Sequence, residues 1–533
     1  MKAKRFLCGI ISVIMLAGSV GGINIYAEEK LTAFPGAEGG GMYSLGARAA
    51  ENSEVYHVTN INDSGKGSFR DAVSKGNRIV VFDVAGNVRL ESILDIKDID
   101  NITILGQTAP GEGICIAGES VLFSNCDNVI LRYIRIRPGD TCYSQEDGLG
   151  VRKCTNFIVD HCSVNWSVDE CLSAYENKDF TAQYCIISES LNVSNHSKGA
   201  HGYGGIWGGI NASFHHNLIS SHKSRMPRIG TSETVHSYQD TPDYESLVDI
   251  RNNVFYNWRD EAGYGGENGV RVNIVNNYYK PSSIAKHIRF YNVWQGSKKY
   301  GTTIHVDGNV MEGYNSIGQN NWLGVANVGY GTKCESISDG FTDDKGTLWR
   351  NDQYLSDYPV NTQTAEDAYN TVLENVGASY FRDDTDQRII NDVINGTMQT
   401  GHTSGYGLID SPEDVGGFSP LHGAKKADTD NDGLPDEWEQ ANGLDPNTFD
   451  STNIAENGYT NLENYANKII KGKADKYDVD FEGLKALIKN AENADPMFFS
   501  SKDRETLQDK LAQAKRIYDL TAPTQAQVDN AAA

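Results

Sequence analysis

Val248-Asp249-Ile250-Arg251-Asn252-Asn253 and, one unit further on, Val272-Asn273-Ile274-Val275-Asn276-Asn277 each carry a short apolar strand that runs into a paired asparagine. The same unit recurs where Ala212-Ser213-Phe214 precedes His216-Asn217 and where Thr303-Ile304-His305-Val306 precedes Gly308-Asn309. Upstream, Asn101-Ile102-Thr103-Ile104, Asn128-Val129-Ile130-Leu131, Asn156-Phe157-Ile158-Val159 and Phe180-Thr181-Ala182 are strands of the same kind. Successive units start about 22 to 36 residues apart, which suits the coils of a parallel β-helix with its length variation in loops; helical repeats need longer apolar periods. Asparagine tolerates left-handed backbone and bonds to the asparagine of the next coil, so the paired positions predict a stacked ladder, with ordinary loop asparagines as the alternative. The expected fold is all-β, a right-handed parallel β-helix, with a small α-helical C-terminal region.

Gly67-Ser68-Phe69-Arg70-Asp71-Ala72-Val73 reads as a short amphipathic helix covering the open end of the solenoid, a cap that terminal repeats need. From about Ser336 to Pro420 the periodicity fades, with helical stretches such as Thr364 to Val376, as expected where the solenoid ends and the chain folds back across it. The segment Asp428-Thr429-Asp430-Asn431-Asp432-Gly433-Leu434-Pro435-Asp436-Glu437-Trp438-Glu439 matches an EF-hand-type calcium loop. Its candidate ligands are Asp428, Asp430, Asp432, Asp436 and Glu439, with Leu434 at the carbonyl-donating position; a solvated acidic turn is the alternative. Asn453 to Asn464 keeps Gly458 at the sixth position but almost no carboxylates, and reads as a degenerate partner loop that binds nothing. Phe481 to Asn490 and Asp503 to Tyr518 have helical periodicity, and Thr524 caps a third helix of about ten residues. These helices resemble small modules of bacterial surface proteins and are candidates to meet a cell-wall or surface partner. So short a last helix is marginal alone, and the chain is expected to be part of something longer. The expected division is 1–27 leader, 28–420 β-helix, 427–470 calcium-loop module and 475–533 helical module.

Residues 1–27 read as a secretory signal: Lys2, Lys4 and Arg5, an apolar run from Phe6 to Val20, and Ala27 before Glu28-Glu29. An N-terminal membrane anchor is the alternative, and no later segment is apolar enough to span a membrane. Loss of three positive charges from a formal net charge of −24 leaves the secreted chain near −27, which excludes nucleic acid as a natural partner. An anionic sugar is also opposed by that charge unless cations cluster locally, and Arg132, Arg135 and Arg137 are candidates for such a cluster. Of nine cysteines, seven fall between Cys115 and Cys185 in or beside strand-like segments, so buried free thiols or a stacked internal ladder stand beside the disulfides that secretion permits.

Asp147, Asp169 and Glu170 sit at strand ends and are followed by Ser224-Arg225-Met226-Pro227-Arg228. Carboxylates hold a hard cation through oxygen, and arginines hold an anionic substrate, so the pairing points to chemistry on an acidic sugar polymer. On a plain strand, adjacent Asp169 and Glu170 face opposite ways; Asp169 is then the ligand, and a bulge is needed for both. Asp160-His161 is expected to be structural, the aspartate fixing turn amides inside the coil, with metal ligation as the alternative. Trp207 and Tyr203 either stack on a sugar ring or pack in a loop.

With Phe34-Pro35-Gly36-Ala37-Glu38-Gly39, Ile158-Val159-Asp160-His161, Asp169-Glu170, Lys198-Gly199-Ala200-His201-Gly202-Tyr203-Gly204-Gly205 and Arg225-Met226-Pro227-Arg228 in this order, residues 32 to about 330 resemble polysaccharide lyase family 1, the calcium-dependent pectate lyases. The resemblance implies that Arg225 is the catalytic base, that Asp147 and Asp169 bind Ca2+ with Glu170 or Ser173 completing the site, and that Lys198 and Arg228 bind polygalacturonate. It implies β-elimination to 4,5-unsaturated oligogalacturonates by a secreted enzyme. The family usually spaces its last two acidic ligands four residues apart and carries its second arginine beyond Arg228, where Gly230 stands here. The alternatives are a pectin lyase acting on methyl-esterified pectin, a hydrolase with paired aspartates, and a non-catalytic pectin-binding β-helix or adhesin.

Overall fold

In Arg78–Phe82 and Ile102–Leu105 every residue is buried, whereas Leu94–Lys97 alternates buried and exposed. The difference comes from what covers the outer face. Val80, Phe82, Ile102 and Ile104 point into the solenoid, while Ile79, Val81 and Leu105 point outward and pack with Leu434, Leu462, Tyr465 and Ala466. A strand covered on both sides reads as a continuous apolar run. These relations come from a computed structural model that describes residues 30–230, 246–266, 270–294, 303–328, 335–336, 358–471, 479–494 and 501–532. The expected leader and Cys334 lie outside the described residues. Contacts divide the chain into Met1–Leu31 and Thr32–Ala533, and the helices and strands of the described residues belong to the second unit.

The fold is the expected parallel β-helix. One sheet stacks Glu54–Val58, Arg78–Phe82, Ile102–Leu105, Asp127–Arg132 and Thr155–Asp160 in parallel, and continues through Leu172–Gln183 and Ile206–His215 to Leu247–Arg251, Arg271–Val275 and Thr303–Asp307. A second runs from Leu94–Lys97 through Val121–Ser124 and Leu149–Arg152 to the same two long strands, then to Arg228–Ile229, Tyr264–Gly265, Tyr291–Trp294 and Val325–Val328. The third stacks nine strands from Gly86–Arg89 to Val310–Met311. Leu172–Gln183 and Ile206–His215 therefore serve two faces, with a register shift between Ala174 and Asn177 at the corner. Inside, Phe123, Phe157, Phe180 and Phe214 form a column with ring centroids 5.2, 6.0 and 5.4 Å apart. Aromatic pairs at these spacings add to the area they bury.

The asparagine ladder is present. Asn217 donates its backbone N–H and Nδ2 to Asn253 Oδ1 (2.9 and 3.0 Å), Asn253 does the same to Asn277, and Asn277 to Asn309. Asn309 in turn bonds Asn321. The second member of each pair forms the ladder; the first members His216, Asn252 and Asn276 have φ of 54°, 55° and 51° and turn the corner. The cap is a helix over Phe69–Ala72, started by Ser68 Oγ and placing Phe69 and Ala72 in the core. Seven cysteines, Cys115 to Cys185, are free and buried.

Two expectations change. Arg132, Arg135 and Arg137 do not line a groove. They are buried in ion pairs: Arg132 with Asp160 at 2.8 Å, Arg135 with Asp383 at 3.3 Å, and Arg137 with Asp383 and Asp386. Asp383 caps a helix, Asp384–Asn395, which lies beside the third sheet and brings both carboxylates to the arginines. Asp160 fixes no turn amides; it accepts from Arg132, His161 and Gln183, each at 2.8 Å, and so ties its own coil to the coils on both sides. The helix expected near Thr364 to Val376 is Ala365–Asn375, packed on Ile186, Leu218 and Val254. The C-terminal helices are Glu482–Glu492, Ser501–Tyr518 and Gln525–Ala532, sharing a small core of Phe481, Leu484, Ala514 and Val528. Among the described residues no helix is long and apolar enough to cross a membrane.

Candidate active site and cation centre

Backbone rungs on the second sheet bring four chain segments into register. Gly148 N–H donates to Glu170 O at 2.8 Å, Tyr203 N–H to Asp169 O at 3.1 Å, and Gly205 N–H to Arg225 O at 2.8 Å. Each rung moves about 4.8 Å along the stack, so Asp147, Asp169, Glu170, Tyr203 and Arg225 gather on one outer strip. A Cβ at Gly205 would lie 1.9 Å from Leu172 O, so only glycine lets these coils close up there. Arg225 has φ 58°, in the left-handed region, just before Arg228–Ile229 rejoins the sheet.

Asp169 lies in a bend and Glu170 in an isolated bridge to Tyr203, so neither is on a plain strand and both reach the same place. Asp147 and Asp169 both lean on Glu170: burial, then Glu170, pushes Asp147 well up and Asp169 up to about 8. Burial opposes the charge of Glu170 too, but Arg225 together with hydrogen bonds from Asp147 and Asp169 outweighs it and holds Glu170 below the ordinary carboxylate range. The Ser173 hydroxyl reaches Asp147 and favours its charged form. Three crowded carboxylates, with Asp169 Oδ1 buried and lacking a hydrogen bond, form a donor set suited to a hard cation.

Arg225 is one-fifth exposed, ion-paired to Glu170 and bonded through Nε to Tyr264 Oη at 3.2 Å, with its guanidinium 4.1 Å over the Tyr203 ring. Burial disfavours its charge, yet Glu170 and Tyr264 raise its pKa above the ordinary arginine value. Lys198 is exposed on the loop facing Asp169, and Arg228 sits opposite Tyr264 on the next rung.

Sequence reasoning missed Tyr264, His196 and His201. Tyr264 comes from the coil beyond Arg225 and nothing local marks it. His196 and His201 stack 3.9 Å apart and set their Nε2 atoms 3.4 Å from the two Asp169 oxygens. His196 Nδ1 accepts the Lys198 N–H at 3.2 Å, so its own ring proton is on Nε2, toward Asp169. Both histidines titrate below their ordinary value because they are desolvated, His201 down to about 4. Of the two, His201 lies inside the Lys198 to Gly205 motif, and that was its only signal. Trp207 stacks on Phe214 at 4.2 Å inside the solenoid and so packs in the core.

The calcium-type loop packs on the outer face of the first sheet, where Leu434 meets Ile79 and Val81. Asp428, Asp430 and Asp432 place one oxygen each within 4.8 Å of one another. Asp428 accepts the N–H groups of Asp432 and Gly433, and Asp432 Oδ1 accepts that of Leu434. Asp436 is placed differently: its two oxygens accept the Thr429 N–H and Oγ1–H, both at 2.7 Å. Leu434 is buried against Val55, Ile79 and Val81. Burial, then Asp432 and Asp430, pushes Glu439 up to about 7.

No family model matches the chain. It is 35% identical over 456 residues to a protein of Aspergillus flavus described as probable pectate lyase C, covering 84% of this chain and 96% of that one. The proteins so described from Aspergillus fumigatus and Aspergillus oryzae are 35% and 34% identical, over 83% and 84% of this chain and 95% and 96% of theirs. Among solved structures, the cedar pollen allergen jun a 1 matches at 14% identity over 67% of this chain and 96% of that one, with a TM-score of 0.42. Pectate lyase Bsp165PelA of Bacillus sp. N165, in complex with trigalacturonate, matches at 15% over 64% and 98%, with a TM-score of 0.39.

Proposed function

The chain belongs to the pectate lyase family, and on that premise we propose that its outer strip cleaves polygalacturonate by calcium-dependent β-elimination at Arg225. The observation that carries this reading is the convergence of Asp147, Asp169 and Glu170 on one strip with a half-buried arginine beside them. Those three carboxylates would hold the calcium ion. When bound, it would engage their charge, including the Glu170 charge that otherwise keeps Arg225 protonated, and offset the charge growing on the substrate carboxylate.

The chain's own residues divide the remaining work. Arg225, oriented by Tyr264 Oη and by the face of Tyr203, is placed to take the C5 proton of a galacturonate unit. The C5–H electron pair forms the C4–C5 double bond, the C4–O bond breaks and the leaving oxygen takes up a proton from solvent, so no water is consumed. Lys198 and Arg228 are the cations for substrate carboxylates on either side. His196 and His201, neutral and stacked, hold Asp169 in position. A guanidinium must lose its proton to act as a base, so turnover rises toward alkaline pH, to roughly pH 8.5 to 10.

The Lys2 to Ala27 leader supports secretion, and the helices Glu482–Glu492 to Gln525–Ala532 are the part available to a cell-wall or surface partner. The loop Asp428 to Glu439 is a structural calcium loop in this reading. The test is the ultraviolet absorbance of unsaturated uronide on polygalacturonate with calcium, and then with excess chelator. A calcium-dependent rise supports the proposal. New reducing ends without absorbance would mean hydrolysis and sink it.

A further inference from the structure

Asp432 belongs to two trios. It meets Asp428 and Asp430 within the loop, and it also meets Glu439 and Asp450, whose nearest oxygens again lie within 4.8 Å of one another. Asp450 lies outside the twelve-residue loop, past the helix Asp436–Asn442. It is held in place by its own backbone: the N–H groups of Asp450 and Ser451 donate to Asp432 Oδ2 at 3.0 and 2.8 Å. Asn461 Nδ2 donates to the Asp450 carbonyl at 3.0 Å and approaches Asp450 Oδ1 at 3.4 Å.

Glu439 is fully buried, and neither of its carboxylate oxygens has a hydrogen-bond partner. Both Asp430 oxygens are likewise buried without one. A buried carboxylate left without donors costs several kcal/mol, and natural interiors pair such groups or place them on a metal. Lys425 lies 3.8 Å from Asp428 and gives neither Glu439 oxygen a hydrogen bond.

We propose that Asp450 is a ligand of the loop's divalent cation, so that the centre is closed by two chain segments, with Asp432 shared and Glu439 and Asp450 facing each other across it. This rests on the reading of Asp428 to Glu439 as a calcium loop and adds the residue that the loop pattern does not contain. The oxygen-only donor set selects a hard ion, Ca2+ over transition metals. Asp436, engaged with Thr429, is outside this set.

The centre has a mechanical consequence. Leu434, two residues past Asp432, packs with Ile79, Val81 and Leu105 of the solenoid, while Leu462 and Tyr465 of the helix Asn461–Ile469 join from beyond Asp450. A cation bridging Asp432, Glu439 and Asp450 therefore fixes the loop and the following helix together on the outer face of the β-helix.

The test uses the purified full chain, stripped with chelator and titrated with calcium by calorimetry and with terbium by emission sensitised through Trp438, one residue before Glu439. Expected are a loss of affinity of about tenfold or more in Asp450→Asn and in Glu439→Gln, with the calcium-induced rise in thermal midpoint reduced to match, and a change below about threefold in Asp436→Asn. Saturating calcium should return Asp450→Asn to the wild-type midpoint. Asp450→Ser, smaller and uncharged, serves as the second variant if Asn at this position disturbs folding. If Asp450→Asn and Asp450→Ser titrate like wild type while Glu439→Gln is weakened, the loop binds alone and the inference falls. If Glu439→Gln is also unaffected, the loop reading falls with it.

Discussion

In the proposed reaction Arg225 is the base, yet Glu170 beside it favours its charged form. Arg225→Lys shortens the side chain and removes the fork that meets Glu170 and Tyr264 together. Turnover on polygalacturonate should fall by about a hundredfold or more, a loss of transition-state stabilisation on the order of 3 kcal/mol, with substrate affinity nearly unchanged. Product absorbance and a separate binding titration measure the two; turnover retained within a few-fold would remove Arg225 from the catalytic role. Arg225 was legible because Arg225-Met226-Pro227-Arg228 is local in sequence. Tyr264 was not, because its hydrogen-bond partner Arg225 is 39 positions away in the chain. The misreading of Arg132, Arg135 and Arg137 has the same origin. A charged residue in a strand looks like a surface cation until a distant segment, here Asp383 to Asp386, brings carboxylates to it.

At the scale of the element, the asparagine ladder was readable because its period is written into the chain. Asn277 accepts the Asn253 N–H and Nδ2 and donates to Ile250 O and Asn309 Oδ1, all at 2.9 to 3.0 Å. Asn277→Ala leaves buried donors on Asn253 and a buried carbonyl on Ile250 without partners, each worth roughly 1 to 3 kcal/mol. A loss of about 3 to 6 kcal/mol is expected, read as a lower urea midpoint. An unchanged midpoint would show the ladder to be ornamental. The helix Asp384–Asn395 went unnamed because its apolar stripe, Ile389, Ile390 and Val393, is flanked by a Ser336 to Pro420 background of turn-forming residues.

For the whole molecule, acid is the stress its interior is least built for. Burial holds His215 well below its ordinary value and moves His216 and His222 from 6.5 to about 4. Between those values the unfolded chain takes up protons that the folded chain refuses, so stability is full above about pH 6.5 and is lost progressively toward pH 4. His216 and His222 together should cost several kcal/mol, about 3 each, by pH 4. The buried Asp160 beside Arg132 and His161 is held below the carboxylate range and is protonated only in stronger acid, so it adds its loss at lower pH. Thermal midpoints measured from pH 7 to 4 should decline across this window, and a flat profile would contradict the burial of these histidines.

Among the described strands, every pairing but one is parallel; the exception is Val325–Val328 against Glu335–Ser336, at the last described coil. A stack of identical rungs is open-ended by nature, because its final edge offers the same bonding pattern as every edge before it and invites another molecule to continue the column. Reversing the last strand changes the spacing of the donors and acceptors on offer, so a further parallel rung meets a mismatched row. At the opposite end the helix Phe69–Ala72 covers the core. Among the described residues, one end of the column is thus covered by a helix and the other carries a reversed strand, so neither offers only a plain parallel rung to a second molecule.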